Sequence, residues 1–546
     1  GYNMAYLCRR NFKSWKACLI LVCNVVLGGA SRLTAAALLS KLTSDSSGNN
    51  GLVHVLASNT NILLYSPAVL YIIVGILADI RFGRYKVVAY SIFISFALLL
   101  ASSAASLISN LSEAGPVQDW LLWIAIGAYI AHFIALMSFE GTILHFGLDQ
   151  LSEASSDELS SFIHWYVWTI AIVALPLNYI PTNTETCIVL LTISMVISAG
   201  MLILCLALCR GARGCNIQFI REPPSRSPYI SVFKVLQFAK NHKTPLHRSA
   251  LTYWEDGPPS RLDMGKDKYG GPFTNEQVED VKTFFRLLYS LACILFMYFV
   301  LFISFSRAFV LHFGREQQSS YSLQPKDPIY LITADIFYSP IFATALLIPL
   351  HELVLHPLLG NRYLPNMMTK MKIAGILFSA SLAINLIIDG VGHYRQNVQC
   401  MFAAYASATP LPGQLQAIDI SPFILLVPGL MVDLAVPLLF ISILEFTVAQ
   451  APYPMRGMMI GFAYFFVGLY ALLGVGYEQI FMFQASSSSW PGRYSCCSVY
   501  YSIGATVSLL VTVLTFWTTH KYKYRERSEV IDEYQFIEKY YSAPTN

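Results

Sequence analysis

Twelve runs of mainly apolar residues, each about as long as a membrane-spanning helix, recur along this chain. A helix needs roughly 20 apolar residues to cross the ~30 Å hydrocarbon core of a bilayer. Because lipid offers the backbone no hydrogen-bond partner, such runs span a membrane as helices. The sequence therefore predicts an all-α membrane protein of twelve transmembrane helices, at residues 15–40, 61–82, 87–109, 119–147, 160–181, 186–209, 283–312, 328–351, 371–391, 421–447, 456–480 and 499–518.

The composition excludes most soluble functions. Of the 546 residues, 55% are hydrophobic and only 12% are charged, whereas soluble chains carry about 25% charged residues. A soluble enzyme, a disordered protein and a nucleic-acid binder are excluded, and the lipid bilayer is the predicted partner. No metal-ligand spacing or nucleophile–base motif occurs, so we expect no catalytic residue, no metal and no enzyme activity.

Basic residues predict the orientation, because Lys and Arg are enriched in cytosolic loops. If the N-terminus lies inside, the inner segments hold most of the Lys and Arg outside the long 210–282 loop. We therefore predict that both termini are cytosolic.

The 210–282 loop divides the runs into six before it and six after it. Equal halves joined by an inner loop suggest two parallel repeats. The predicted organisation is a cytosolic N-terminus, an N-terminal six-helix bundle, a cytosolic inter-bundle loop, a C-terminal six-helix bundle and a cytosolic tail, at residues 1–14, 15–209, 210–282, 283–518 and 519–546.

Several short motifs lie at the cytosolic ends of the predicted helices. An acidic residue and an arginine flank a glycine turn at Asp79, Gly83 and Arg84, an arrangement that can lock neighbouring helix ends together. Further motifs are FGLDQ at 146–150, the aromatic segment WYVW at 165–168, LEF with QAP at 444–452, and PPSRLD with KYGGPFT at 258–274. Thr274 and Gln277 also form a capping box, which predicts a helix start there.

This set of motifs resembles the proton-coupled oligopeptide transporter family of the major facilitator superfamily, and the loop block resembles its peptide/histidine transporter branch. The resemblance implies the major facilitator fold of two six-helix bundles. It also implies alternating-access symport of di- and tripeptides or histidine, with protons as the coupling ion and no cofactor. Asp79, Gly83 and Arg84 match the family's cytosolic gating motif.

The chain departs from the family pattern at the charged positions. The two Glu and the Arg of the family's ExxER motif fall near Val25, Gly28 and Gly29. The family's Lys in helix four falls at Glu140, which reverses the sign of the charge. The Asn in helix five and the acid in helix ten fall at Ala171 and Val436.

A different set of charges lies inside the predicted helices. A charge at the bilayer centre costs at least about 2.5–3.5 kcal/mol, so each is a functional candidate. The candidates for the substrate or proton pathway are Arg32, Glu140, Arg307, Asp433 and Glu445. Glu352 and two aspartates, Asp335 and Asp389, fall near helix ends, where solvation is the expected alternative.

Arg32 and Glu140 prompt the hypothesis of a sign-swapped ion pair, although helix lengths predict an offset of ~15–25 Å between them. Glu445 matches the LEF motif, with a structural hydrogen-bond role as the alternative. Asp433, one turn before Val436, is a candidate for binding an amine. Three histidines, His132, His145 and His164, are candidate proton sensors, with ordinary packing as the alternative.

The tail and the cysteines give two weaker predictions. Tyr534 and Ile537 form a YxxΦ motif, which predicts cytosolic sorting adaptors and an endosomal or lysosomal membrane rather than the plasma membrane. A disulfide from Cys400 to Cys496 or Cys497 is an open alternative to free thiols.

The sequence is compatible with two functions. One is a transporter, with proton coupling altered by the changed charges. The other is a non-transporting relative that uses the fold as a signalling or adaptor scaffold. A transporter requires several charged groups around one polar chamber, whereas a scaffold tolerates an apolar centre.

Overall fold

The computed structural model of the chain is almost entirely helical. It describes residues 15–45, 66–112, 116–151, 156–174, 184–211, 219–221, 224, 227–242, 260–304, 340–359, 364–396, 426–486 and 496–524. Arg307, Asp335, Cys400, Tyr534 and Ile537 lie outside the described residues, as do the side chains of Asp389, Cys496 and Cys497.

Six helices form the N-terminal half. They are α1 (Trp15–Asp45), α2 (residues 66–82), α3 (Arg84–Leu111), α4 (Pro116–Asp149), α5 (Ser156–Ala174) and α6 (Thr184–Gly211). A shorter helix, which we call the loop helix (Ser227–Asn241), lies between the halves.

Six more helices form the C-terminal half. They are α7 (Asn275–Ser304), α8 (residues 340–359), α9 (Met367–Gln396), α10 (Leu426–Gln450), α11 (Arg456–Ser486) and α12 (Cys496–Lys521). All of these, with α1, α3, α4 and α6, are long and apolar enough to cross a membrane. The remaining two, α2 and α5, coincide with the second and fifth apolar runs. The twelve-helix prediction is confirmed.

The predicted end of α8 is wrong. The helix continues from the predicted end at residue 351 to Leu359, although Pro349 lies inside it. Residues His351–Leu355 form a π-helical turn, in which hydrogen bonds join residues five apart. The turn follows Pro349, which has no backbone N–H for the regular helical hydrogen bond. Glu352 therefore lies within a helix and not at its end.

The structure contains two local features that the sequence predicts, a capping box and a glycine turn. The Thr274 hydroxyl accepts a hydrogen bond from the Gln277 backbone N–H, and the Gln277 side chain accepts one from the Thr274 N–H. The predicted capping box at the start of α7 is thus confirmed. Gly83, between α2 and α3, has a φ of 80°, a conformation that strongly favours glycine.

The apolar core consists of two main clusters, one for each half. The larger cluster joins α7, α9, α10, α11 and α12, and the other joins α1, α3, α4 and α5. Ile348, Leu444 and Ile460 belong to the C-terminal half but pack in the N-terminal cluster. The two bundles therefore share part of one core where they meet.

We call the face at which α1 begins the inner face. The distribution of Lys and Arg predicts that this face is cytosolic.

The helices α2 and α11 pack so closely that no side chain fits between their backbones at two glycines. A Cβ atom added to Gly75 would lie 2.7 Å from the Gly457 carbonyl oxygen, and one added to Gly461 would lie 2.6 Å from the Tyr71 carbonyl oxygen. Small residues permit such close packing of membrane helices.

Substitution of Gly75 by alanine should weaken this contact. The added methyl group would force α2 and α11 apart, and overpacking of this kind costs about 1–3 kcal/mol. We expect a lower midpoint of thermal unfolding in detergent for Gly75→Ala. The matched control is Gly200→Ala in α6, where a Cβ would contact nothing within 4 Å. Equal midpoints for the two variants would contradict the close-packing interpretation.

The inter-bundle loop ends in a compact group of charges before α7. Lys266 Nζ lies 2.7 Å from Asp263 Oδ1 and 2.5 Å from Glu279 Oε1, and Lys282 bonds both acids. Burial alone would raise the pKa of Asp263, but the hydrogen bonds from the two lysines outweigh it and hold this pKa well below its usual range. Burial also opposes the Lys266 charge, yet its two carboxylate partners raise the pKa of Lys266.

The Asp263 carboxylate should stabilise the protein only while it is ionised. Because its folded pKa is lowered, this stabilisation is present above the unfolded value of about 3.9 and is lost as pH falls. Asp263→Asn should lower the unfolding midpoint at about pH 7, by an amount that begins to shrink below about pH 3.9 and continues to shrink as the pH falls toward the lowered folded pKa. The exposed Asp267→Asn variant is the control. A midpoint difference that does not shrink in acid would exclude this contribution.

Candidate functional site

Polar side chains from both bundles meet deep inside the membrane region. The Tyr71 hydroxyl of α2 donates a 2.9 Å hydrogen bond to Glu140 Oε2 of α4. The Tyr71 ring stacks on Tyr464 of α11, with ring centroids 5.0 Å apart. The Tyr464 hydroxyl lies 3.1 Å from the hydroxyl of Tyr166 in α5. We call Glu140 and these three tyrosines, together with Arg32, the central group.

The backbone of α4 makes room for this arrangement. A Cβ atom at Gly141 would lie 3.1 Å from Tyr71 Cδ1. Any larger residue would displace the ring that donates to Glu140. The glycine next to Glu140 therefore helps to position the Tyr71 hydroxyl.

Arg32 lies close enough to Glu140 for their charges to interact. No ion pair joins them in the part of the chain that the structure describes. Both residues lie on long helices, since α1 has 31 residues and α4 has 34, whereas a membrane requires roughly 20. Beside Arg32, Ser31 Oγ lies 2.8 Å from His132 Nε2 and 3.4 Å from the Tyr129 hydroxyl.

A second polar group, the Arg84 clamp, lies at the inner face. Arg84 donates to Asp79 Oδ1 at 3.2 Å and to both oxygens of Asp149 at 2.9 and 3.0 Å. Asp79 Oδ2 accepts the backbone N–H of Met458 in α11 at 3.2 Å. The gating-motif residues of α2 and α3 are thereby tied to the C-terminal bundle. Gly457 is required here, since a Cβ would lie 2.7 Å from Asp79 Oδ2.

The loop helix also reaches this clamp. The Tyr229 hydroxyl donates a 2.9 Å hydrogen bond to Asp79 Oδ2. Burial and the neighbouring Asp79 carboxylate raise the pKa of Tyr229 far above its ordinary range, so the phenol stays a donor. His145, fully buried on α4, has its Nε2 atom 3.6 Å from Asp149 Oδ1.

A third group joins α5 to the C-terminal bundle, and we call it the His164 cluster. His164 Nδ1 hydrogen-bonds Glu352 of α8, and His164 Nε2 lies 3.1 Å from Glu445 Oε1 of α10. Ser161 donates to Glu352 at 2.8 Å, and Ser160 donates to Glu445. Lys370, at the start of α9, lies 3.4 Å from Glu445 Oε2.

The remaining candidate, Asp433, lies apart from these contacts. It is 3% exposed, and its Oδ1 atom has no hydrogen-bond partner among the described residues. Arg307 cannot be placed, since it lies outside the described residues.

The structure thus brings together Arg32 with Glu140, and Glu445 with His164. Sequence reasoning missed Lys370, Tyr71 and Tyr464, placed Glu352 near a helix end, and noted Tyr166 only as part of the WYVW motif. Pro349 followed by His351 and Glu352 was the available signal for Glu352, because a proline next to polar residues inside an apolar run often marks a distorted, functional turn. Tyr71 and Tyr464 carried no such signal among the 32 tyrosines of the chain.

Comparison with known proteins places this arrangement in context. No protein-family model matches the chain. Solute carrier family 15 member 3 of the mouse (Mus musculus) is 23% identical over 408 residues, which are 71% of this chain and 68% of that relative. The resemblance to the proton-coupled oligopeptide transporter family, and to its peptide/histidine branch, is confirmed.

Two crystal structures show the shared fold. The POT family transporter PepTSo superimposes with a TM-score of 0.54 at 14% identity, over 92% of this chain and 97% of that chain. An auto-inhibited POT family peptide transporter gives a TM-score of 0.52 at 15% identity, over 94% and 98%. The fold is therefore the twelve-helix major facilitator fold of the proton-coupled oligopeptide transporters.

Removal of the Arg84 charge should destabilise the protein strongly. Arg84→Met leaves Asp79 and Asp149 buried without this cation, and breaking a buried ion pair costs about 3–5 kcal/mol. We expect a clear drop in the thermal unfolding midpoint, and a smaller drop for Arg84→Lys, which keeps the charge but loses the forked geometry. Arg81→Met, on the exposed neighbouring arginine, is the control. An unfolding midpoint equal to that of the control would rule out the clamp as a stabilising element.

Proposed function

We propose that this protein is a membrane transporter of zwitterionic solutes, either short peptides or free histidine, which works by alternating access between its two bundles. The observation that carries the proposal is the central group. There, one cation and one anion lie inside the membrane without an ion pair between them, beside tyrosines of both bundles.

The charges of the central group suit a substrate with two charged ends. A charge inside the membrane costs at least about 2.5–3.5 kcal/mol, so evolution retains it only where it has a use. The Arg32 guanidinium can hold a carboxylate through two parallel hydrogen bonds. Glu140 can hold an ammonium group, and Tyr71 already fixes the orientation of its carboxylate.

The arrangement differs from that implied by the family pattern. Family charges are absent near Gly28 and Gly29 of α1, where a Cβ at Gly29 would contact nothing within 4 Å. In our proposal, Arg32 and Glu140 replace them, with both substrate charges bound by the N-terminal bundle. Tyr464 then supplies the contact from the C-terminal bundle.

The similar proteins support transport as the general function. The two crystal structures above are of a POT family transporter and a POT family peptide transporter, and the mouse relative is a solute carrier. Protons as the coupling ion are part of the proposal. So is an endosomal or lysosomal membrane, reached through sorting adaptors that bind Tyr534 and Ile537.

The test is uptake into proteoliposomes. Purified protein would be supplied with a labelled dipeptide or labelled histidine, first as exchange at equal pH on both sides and then with an inward proton gradient. Exchange tests binding and alternating access, whereas stimulation by the gradient tests proton coupling. Circular dichroism and unfolding midpoints would confirm that each protein is folded.

Neutralising either charge of the central group should impair transport. We expect Arg32→Gln and Glu140→Gln to raise the KM for the dipeptide at least about tenfold, because each removes one side of a buried ionic contact, typically worth 2–5 kcal/mol. The matched controls are Arg81→Gln and Glu185→Gln, which neutralise exposed charges. If both central variants transport like the parent, the proposed site is wrong. If folded parent protein exchanges neither compound, the transport proposal fails and the scaffold hypothesis is preferred.

A further inference from the structure

The His164 cluster connects four helices of the two bundles, namely α5 of the N-terminal bundle and α8, α9 and α10 of the C-terminal bundle. His164 lies eight residues after the start of α5, about 12 Å from the inner face at 1.5 Å per residue. Its two ring nitrogens face carboxylates on α8 and α10, and its side chain is 5% exposed. A single imidazole therefore holds the inner ends of both bundles together.

The geometry favours the doubly protonated ring. A neutral imidazole carries one N–H, so its other nitrogen would present a lone pair to a carboxylate oxygen. An imidazolium presents an N–H on each side, and hydrogen bonds or ion pairs to ionised partners are the stronger ones. At 3.1 Å from Glu445 Oε1, Nε2 makes an ion pair even though its direction is not that of a regular hydrogen bond.

Charge balance leads to the same conclusion. Glu352 and Glu445 contribute two negative charges, and Lys370 contributes one positive charge. Protonated His164 makes the cluster neutral, whereas neutral His164 leaves one uncompensated negative charge in a buried place. Such a charge is costly in a low-dielectric environment.

The other titratable groups near this cluster lie mostly on α8. His351 Nδ1 lies 3.2 Å from Glu352 Oε1 and is a quarter exposed, and His356 follows one turn later with its ring centroid 6.1 Å from that of His351. From α5, Asp157 and Glu158 lie at the helix start, and α9 contributes Lys370. The histidine in contact with both carboxylates is His164, so the state of the cluster depends chiefly on its proton.

We propose that His164 is a proton-binding residue that latches the inner side of this protein shut. When the ring binds a proton, the inner ends of α5, α8 and α10 are held together. When the ring releases that proton to water, its ion pairs with Glu352 and Glu445 are both lost and the bundles separate. This role rests on the proposed function, because a latch between the bundles matters only if they move apart.

Two other contacts between the described parts of the bundles do not supply this switch. The Arg84 clamp depends on a guanidinium that stays charged at all physiological pH values. The hydrogen bond from Trp168 Nε1 to the Ala345 carbonyl oxygen, 3.0 Å long, involves neutral groups. Protons therefore favour the closed inner side through His164, and by linkage closure increases proton affinity.

The experiment measures the distance between the bundles as a function of pH. Genetically encoded spin-labelled amino acids would replace exposed Ser156, at the start of α5, and exposed Thr369, near the start of α9. Such residues avoid the eleven native cysteines, which would react with a thiol label. Double electron–electron resonance would be recorded in lipid nanodiscs at about pH 5.5 and about pH 8, on either side of the ordinary histidine value of about 6.5.

In the parent protein, we expect the ratio of short to long distances to be at least about tenfold higher at the lower pH. This factor corresponds to a proton affinity of His164 that is about tenfold higher in the closed state than in the open state. His164→Asn should show one ratio at both pH values. His164→Lys, with a permanent charge, should retain the short distance at both. His520→Asn, on an exposed histidine at the end of α12, should behave like the parent.

The outcomes separate the latch from transport itself. A pH-dependent distance that persists in His164→Asn would overturn the latch, as would a parent distance that does not change with pH. Exchange of the labelled dipeptide at equal pH, measured on the same variants, reports transport independently. Exchange without a pH-dependent distance refutes the latch only, whereas a His164-dependent distance change without exchange supports the latch and refutes the proposed substrate.

Discussion

Charged side chains inside a membrane need ionic or hydrogen-bonding partners. In this protein, several of these partners lie where the two helical bundles meet. The Arg84 clamp and the His164 cluster each use groups of the N-terminal bundle and of the C-terminal bundle. The Arg84 clamp would lose its bonds to Met458 and Tyr453 if its bundle stood alone, and His164 would lose both of its carboxylate partners. The energy of the buried charges is therefore coupled to the distance between the bundles, and this coupling is what an alternating-access protein requires.

The three polar groups differ in the way their charge is compensated. Arg84 is permanently charged and fully paired, so it stabilises one packing of the helix ends. The His164 cluster is balanced only when a histidine is protonated. In the central group, Arg32 and Glu140 interact without an ion pair. Under our two proposals, the Arg84 clamp stabilises the closed packing, the His164 cluster responds to protons and the central group recognises the substrate.

Much of the fold was predictable because it follows from hydrophobicity and from local rules. All twelve apolar runs contain a helix, and the capping box at Thr274 begins α7 as its residues indicate. Side-chain partners were less predictable. The positions of Arg32 and Glu140 within their apolar runs could not fix how near they come to each other, because helix tilt and helix length also move them. Glu352 was assigned to an interface because the eighth apolar run was predicted to end at residue 351, whereas a π-helical turn continues α8.

This chain lacks several charged residues of the family pattern and carries other charged residues at nearby positions. Near Gly28 and Gly29, α1 lacks the charges of the family pattern, and α10 carries Val436 where the pattern has an acid. In their place, α4 carries Glu140 and α1 carries Arg32 one turn further on, while α8 contributes Glu352 to His164. In the proposed latch, the proton site moves from the central chamber to the inner side. A proton at His164 would then act on closure of the inner side directly, so the substrate site would not have to titrate for the bundles to respond to pH.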